Sequence, residues 1–122
     1  MVKLVYCLHR LPHLSRADFQ YYWLERHGPL VRSHAATLRI RRYVQVHSLD
    51  VAANTGFRAS RGGPEGYDGV AELWWDSLED LAAAGATEAG IAAGRELLAD
   101  ERKFIDLERS PIWVAEEYPI VP

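Results

Sequence analysis

Four short stretches of alternating side chains, set around two capped helical runs, constrain this chain more than any other feature. Residues 2–9 alternate Val2, Leu4, Tyr6 and Leu8 against Lys3, Val5, Cys7 and His9, which predicts a strand with both faces at least partly buried. Residues 39–47 alternate again, with Tyr43, Gln45 and His47 on one side and Arg42, Val44 and Val46 on the other. A third strand is expected over 68–75, with Val70, Glu72 and Trp74 facing away from Ala71, Leu73 and Trp75, and a fourth over 112–118, closed by Pro119. Ser15 offers an N-cap ahead of the first helical run, with Asp18 three residues later. In that run Phe19, Tyr22, Trp23, Arg26, His27, Leu30, Val31 and His34 fall on one side at helical spacing. Gly28-Pro29 is expected to break the run, because a residue before proline is pushed off helical angles, leaving His27 at a helix C-terminus. Ser77 and Thr87 cap the later helical runs, where Ile91, Leu98 and Ile105 recur every seven residues. Residues 48–67 hold four glycines and a proline without any period and are expected to form a long loop.

Composition narrows the class. With 122 residues, 48% hydrophobic and 25% charged, the chain reads as one ordered domain spanning residues 1–122. No apolar run approaches the ~20 residues that span a bilayer, and no leader is recognisable, so no membrane partner and a cytoplasmic location are expected. The single cysteine, Cys7, excludes an intrachain disulfide and a thiolate metal cluster. Residues 1–61 carry ten Lys/Arg against three Asp/Glu, and residues 62–122 carry four against fourteen. In a compact domain this asymmetry points to halves or subunits that face one another. Arg39, Arg41 and Arg42 lack a stacking motif, so no nucleic-acid partner is expected.

The order strand, helix, strand, strand, helix, strand defines an α+β, ferredoxin-like βαββαβ arrangement, an antiparallel four-stranded sheet with helices on one face. The other face would be apolar and aromatic, and a large apolar face does not remain in water. A twofold homodimer, sheet against sheet, is the expected remedy.

The opening strand, Ser15-Arg16-Ala17-Asp18-Phe19 with Tyr22-Trp23, His27-Gly28-Pro29-Leu30-Val31, Arg42-Tyr43-Val44-Gln45 and Asp68-Gly69-Val70-Ala71-Glu72-Leu73-Trp74 together resemble the EthD family. The resemblance covers about four fifths of the chain and is weakest over 48–67. It implies a dimeric α+β barrel. Its members are associated with ether degradation, with dehydration or decarboxylation of aromatic polyketides, and with lactone isomerisation. The lactone isomerase is similar at His27 and Tyr43, which match its catalytic His and Tyr, and carries a cysteine where this chain has Glu72.

The chemistry expected is therefore cofactor-free acid/base catalysis by a lyase, dehydratase or isomerase on a small, mostly apolar, oxygenated molecule such as a polyketide or lactone. The alternatives are a non-catalytic binding or interaction module and a cofactor-free oxygenase. Imidazole titrates nearest neutrality, which makes His27 the proton carrier. Tyr43 would donate to a developing oxyanion. Glu72, on an otherwise apolar strand face, must be paired or shifted in pKa. A partner among Arg39, Arg41 or Arg42 would make it structural, and without one it would serve as a general base. Tyr6, Trp23, His47 and Trp74 would shape the substrate pocket. The five histidines match no usual ligand spacing, and no Walker loop or dinucleotide fingerprint is present, so neither a metal nor a nucleotide cofactor is expected.

Overall fold

The computed structural model describes residues 1–122. Strand β1 (Val2–Leu8) leads into α1 (Arg16–Tyr22), one π-helical turn (Trp23–His27) and α2 (Gly28–His34). Then come β2 (Arg42–His47), α3 (Ala52–Arg61), β3 (Gly69–Trp75), α4 (Leu78–Ala86), α5 (Glu88–Glu101), a 3-10 turn (Leu107–Arg109) and β4 (Ile112–Ala115). The helix starts follow local chemistry. Ser15, Ser77 and Thr87 accept backbone N–H bonds from Asp18, Asp80 and Gly90, each satisfying one of the orphan donors of a first turn. No helix is long and apolar enough to cross a membrane.

The strands form one antiparallel sheet in the order β2-β3-β1-β4. Register decides which residues share a side. Tyr6 and Gln45 both lie opposite Ala71, and Leu4 and Tyr43 both lie opposite Leu73. That side is covered by helices: Leu8 and Ala71 pack with Phe19, Trp23, Phe104 and Ile105, and Tyr6, Tyr43 and Leu73 close the margin. Burying each large apolar side chain there contributes roughly 1.5–3 kcal/mol. Buried Asp68 ties the layers together, accepting the Arg10 backbone N–H at 2.8 Å and the Arg10 guanidinium, with Arg16 Nε at 3.5 Å.

Several expectations need correction. The α+β ferredoxin-like arrangement stands, but the sheet is not closed into a barrel. β2 and β4 lie at opposite edges with no pairing between them, and four strands are too few to wrap around a filled interior. The first helical run is not broken at Gly28, which has helical angles (φ −53, ψ −53) and donates its N–H to the Trp23 carbonyl. A proline inside a helix clashes with the carbonyl four residues back. Widening one turn into a π-helix accommodates Pro29 without ending the helix, so His27 lies within a continuous helical run. The expected loop 48–67 contains α3, stopped by Gly62 in the left-handed region (φ 62), and α3 has no buried residue. β2 starts at Arg42 rather than 39, because Arg39 adopts φ 58 in the turn before it. β4 stops at Ala115 rather than 118. Of the seven-residue repeat only Ile105, beyond the end of α5, is buried, while Ile91 and Leu98 are exposed and the buried positions of α5 are Gly90 and Ala93.

Candidate active site

The π turn places two of the expected residues. Trp23 is 1% exposed and stacks on His47, with ring centroids 4.4 Å apart and planes 20° from parallel. His27 is 6% exposed and lies against the Phe104 ring at 5.0 Å. Its Nδ1 is 2.8 Å from Asp100 Oδ2, and the other oxygen of that carboxylate accepts the Tyr22 hydroxyl at 2.5 Å. Burial lowers the His27 pKa below its ordinary value, against the opposing pull of the Asp100 carboxylate. The ring is therefore neutral at neutral pH, and the contact is a hydrogen bond to a carboxylate rather than an ion pair. Burial pushes the Asp100 carboxyl up. Hydrogen bonds from Tyr22 and His27, with the charge of Lys103, outweigh it and hold the group below the usual carboxylate range.

Gln45 organises the neighbouring strand. Its Nε2 donates to the Trp23 carbonyl and to Tyr43 Oη, both at 2.8 Å, and its Oε1 faces His47 Nε2 at 2.8 Å. A carbonyl can only accept, which fixes the amide orientation and makes His47 the Nε2–H donor. Tyr43 accepts from Gln45, and its own hydroxyl hydrogen is left without a protein partner. Burial raises the Tyr43 phenol to about 12, against hydrogen bonds from Gln45 and Trp23, while the Glu101 charge adds to the rise. Tyr43 and Gln45 line a cleft of about 660 Å³ with Leu24, Gly28, Pro29 and Val31. Of the expected groups only Tyr43 lines this cleft, and a larger one of about 790 Å³ beside α3 contains none of them.

Tyr6 lies on the same side of the sheet. Burial raises its pKa, helped by the charge of Glu101 and a hydrogen bond to it. Burial likewise raises the Glu101 carboxyl, against a hydrogen bond from Tyr6. Glu72 is not part of this group. It lies opposite Val5 and Val44 on the open face of the sheet, and its partner is Lys3 (Nζ to Oε1, 3.2 Å), not one of the three arginines. Trp74 also lies on the open face, with Lys3 Nζ and the Arg42 guanidinium 5.2 and 4.8 Å from its ring centroid and its indole N–H donating to Glu117. The structure thus brings His27, Tyr43, Tyr6, Trp23 and His47 to one side and leaves Glu72 and Trp74 on the other. The carboxylates on the helix-covered side are Asp100 and Glu101. Both end a helix whose last turn has no basic residue, a placement the helix dipole disfavours. That local cost was a legible signal for them.

The EthD domain model matches residues 11–108. The chain belongs to the EthD family. Among solved structures, it is similar to an EthD-family protein from Bacillus halodurans. The two are 23% identical, with 97% of this chain and 99% of that one covered and a TM-score of 0.63. A dimeric protein of ferredoxin-like fold from Bacteroides fragilis is 11% identical, with 95% of each chain covered and a TM-score of 0.59. SnoaB, a cofactor-independent oxygenase from Streptomyces nogalater, is 14% identical, with 99% and 96% covered and a TM-score of 0.53. No curated protein matches the sequence at a significant level. At these identities the likenesses establish the fold alone.

Proposed function

We propose that this EthD-family chain is a cofactor-free acid/base catalyst, an isomerase, dehydratase or lyase, acting on a small, largely apolar molecule with a carbonyl group. His27 takes a proton from the carbon beside the carbonyl. Tyr43 directs its free hydroxyl hydrogen to the carbonyl oxygen as negative charge develops there. The proton then returns to a different carbon in an isomerisation, or leaves with a departing hydroxyl as water in a dehydration. Tyr6, Trp23 and His47 lie on the same side of the sheet and back the site. The reading rests on the Tyr43 hydroxyl, which accepts from Gln45 and has its hydrogen unspent in an open cleft on the side of the sheet that carries the neutral His27. With Glu72 held by Lys3 on the open face, a general-base role for it has no support.

We further propose that the chain works as a homodimer through its open sheet face, where Val46 and Trp113 are each 46% exposed. The dimeric Bacteroides fragilis protein of the same fold supports this. The likeness in fold to SnoaB favours an oxygenase as the second reading.

The test is conversion of a β,γ-unsaturated butenolide, α-angelica lactone, to its conjugated isomer in D₂O, followed by NMR. The expected result is deuterium entering the ring with isomerisation, slowed ~10²–10⁴-fold in His27→Gln and substantially in Tyr43→Phe. Binding of the lactone with isomerisation no faster than in buffer would sink the isomerase reading. Oxygen uptake with an electron-rich phenol would move the assignment to an oxygenase.

A further inference from the structure

Behind His27 the fold places a buried carboxylate that nothing in the sequence pattern assigns a role. Asp100, at the end of α5, is 73 residues from His27 in the chain, yet the two side chains are only 12% and 7% exposed and meet at 2.8 Å. Tyr22 Oη holds the second carboxylate oxygen at 2.5 Å, and Lys103 Nζ stands 3.5 Å from it. This carboxylate is ionised at neutral pH and can only accept. Nδ1 of His27 must then carry the ring hydrogen, and the lone pair lies on Nε2. That atom makes no hydrogen bond within the protein, and it is not sealed in as Arg16 Nε is. The Phe104 ring fixes the tilt of the imidazole at 5.0 Å.

From this geometry we infer that Asp100, seated by Tyr22, is the positioning residue that holds His27 as the Nδ1–H tautomer, with Nε2 presented as the proton acceptor. The inference rests on the reading of His27 as the base of the site. When Nε2 takes a proton from carbon, positive charge appears on a ring already hydrogen-bonded to a carboxylate. The attraction that is absent in the resting pair is created during the step, and it stabilises the product of proton transfer more than the reactant. The Nδ1–H···Oδ2 bond persists throughout, so no proton needs to pass to Asp100.

The tautomer is tested first, without any substrate, by ¹⁵N NMR of the histidine rings in the labelled full chain. The expected pattern is a protonated Nδ1 and a free Nε2 for His27 at neutral pH. In Asp100→Asn the tautomers should mix and the ring should titrate at lower pH, because the carboxylate that favours the charged form is gone. A wild-type His27 with hydrogen on Nε2 would overturn the inference. So would an Asp100→Asn spectrum and titration unchanged from wild type.

The second arm follows α-angelica lactone isomerisation. Asp100→Asn should lower kcat about tenfold or more, a part of the ~10²–10⁴-fold that acid/base catalysis supplies, with little change in KM. It should also move the acid limb of the kcat profile to lower pH, and Asp100→Glu should recover part of the loss. Tyr22→Phe, which keeps the carboxylate but frees one oxygen, should give a smaller loss of the same kind. A loss in kcat that merely follows a fall in Tm, with the pH limb unmoved, would reduce Asp100 to a structural clamp. The two ideas fail separately. His27→Gln inactive with Asp100→Asn fully active removes the positioning role alone. His27→Gln fully active removes the proposed function, and the NMR arm then still decides whether Asp100 sets the tautomer.

Discussion

Replacing Gly69 by alanine is expected to disturb the site from behind. A Cβ at that position would lie 2.3 and 2.7 Å from Cζ3 and Cη2 of Trp23 and 2.9 Å from the Val46 carbonyl oxygen. Real carbon contacts do not persist at such distances, so something must move. Trp23 cannot swing into solvent, because it is 1% exposed and its ring is stacked on His47. Overpacking a filled core by one methyl costs about 1–3 kcal/mol. For a chain of this size that corresponds to about 4 °C per kcal/mol, so a fall of about 4–12 °C in Tm is expected. Thermal unfolding followed by far-UV circular dichroism measures it, and the near-UV signal of Trp23 should change in parallel. Trp23→Phe removes the clashing benzo ring and leaves a void that costs stability by itself. Combined with Gly69→Ala, however, it should recover part of the loss, giving a coupling of about 0.5–3 kcal/mol between two contacting residues. Additive single and double mutants, or a Gly69→Ala protein melting within about a degree of wild type, would refute the contact as the cause.

The folded pKa of His27 lies below its unfolded value of 6.5, so the unfolded chain binds more protons, and the contribution to stability is complete above that value and lost as the pH falls beneath it. The urea midpoint should therefore fall between about pH 7.5 and about pH 5.5, and by less in His27→Gln; an equal fall in both proteins would refute this linkage. His47, lowered by burial, acts in the same direction and supplies the remainder. Glu72→Gln removes a partly exposed pair with Lys3 and should cost no more than about 1 kcal/mol in chemical denaturation, with lactone isomerisation unaffected. Gly56, inside α3 with no atom within 4 Å of an added Cβ, should tolerate alanine and gain about 0.8–1 kcal/mol in that helix. Slower amide exchange across α3 checks this, and unchanged exchange counts against it. Val46→Asp with Trp113→Glu should convert a sedimenting dimer to monomer; a wild-type monomer, or a dimer that survives both charges, would remove the open face as the interface.

Much of the fold was legible because its causes are local. Alternation marked the strands, and Ser15, Ser77 and Thr87 each cap a helix through the residue three positions on, so short sequence windows contain both partners. Tyr6 and Trp23 were legible as core-facing because each lies on the apolar side of its own element, whereas the side on which Tyr43 and His47 lie, shared with Gln45, was settled only by the strand pairing. Pro29 misled because the sequence records the clash but not its remedy, a π turn that the surrounding packing holds in place. α3 was hidden because it buries nothing, and an element without a core face leaves no apolar stripe to find.

The carboxylates divide the two kinds of information most sharply. The alternation of 70–75 alone determined that Glu72 shares a face with Val70 and Trp74 and not with Leu73. Only the pairing of Tyr43 with Leu73 and of Val44 with Glu72 decided that this face is the one turned away from Tyr43. Asp100 reaches His27 across 73 residues, because α5 packs beside the π turn and a neutral imidazole buried there needs an acceptor for its ring hydrogen. Local preferences act over a few residues of chain, and the sequence by itself determined what depends on them. Hydrogen bonds between distant side chains require the register and packing of every intervening element, and those only the tertiary structure decided.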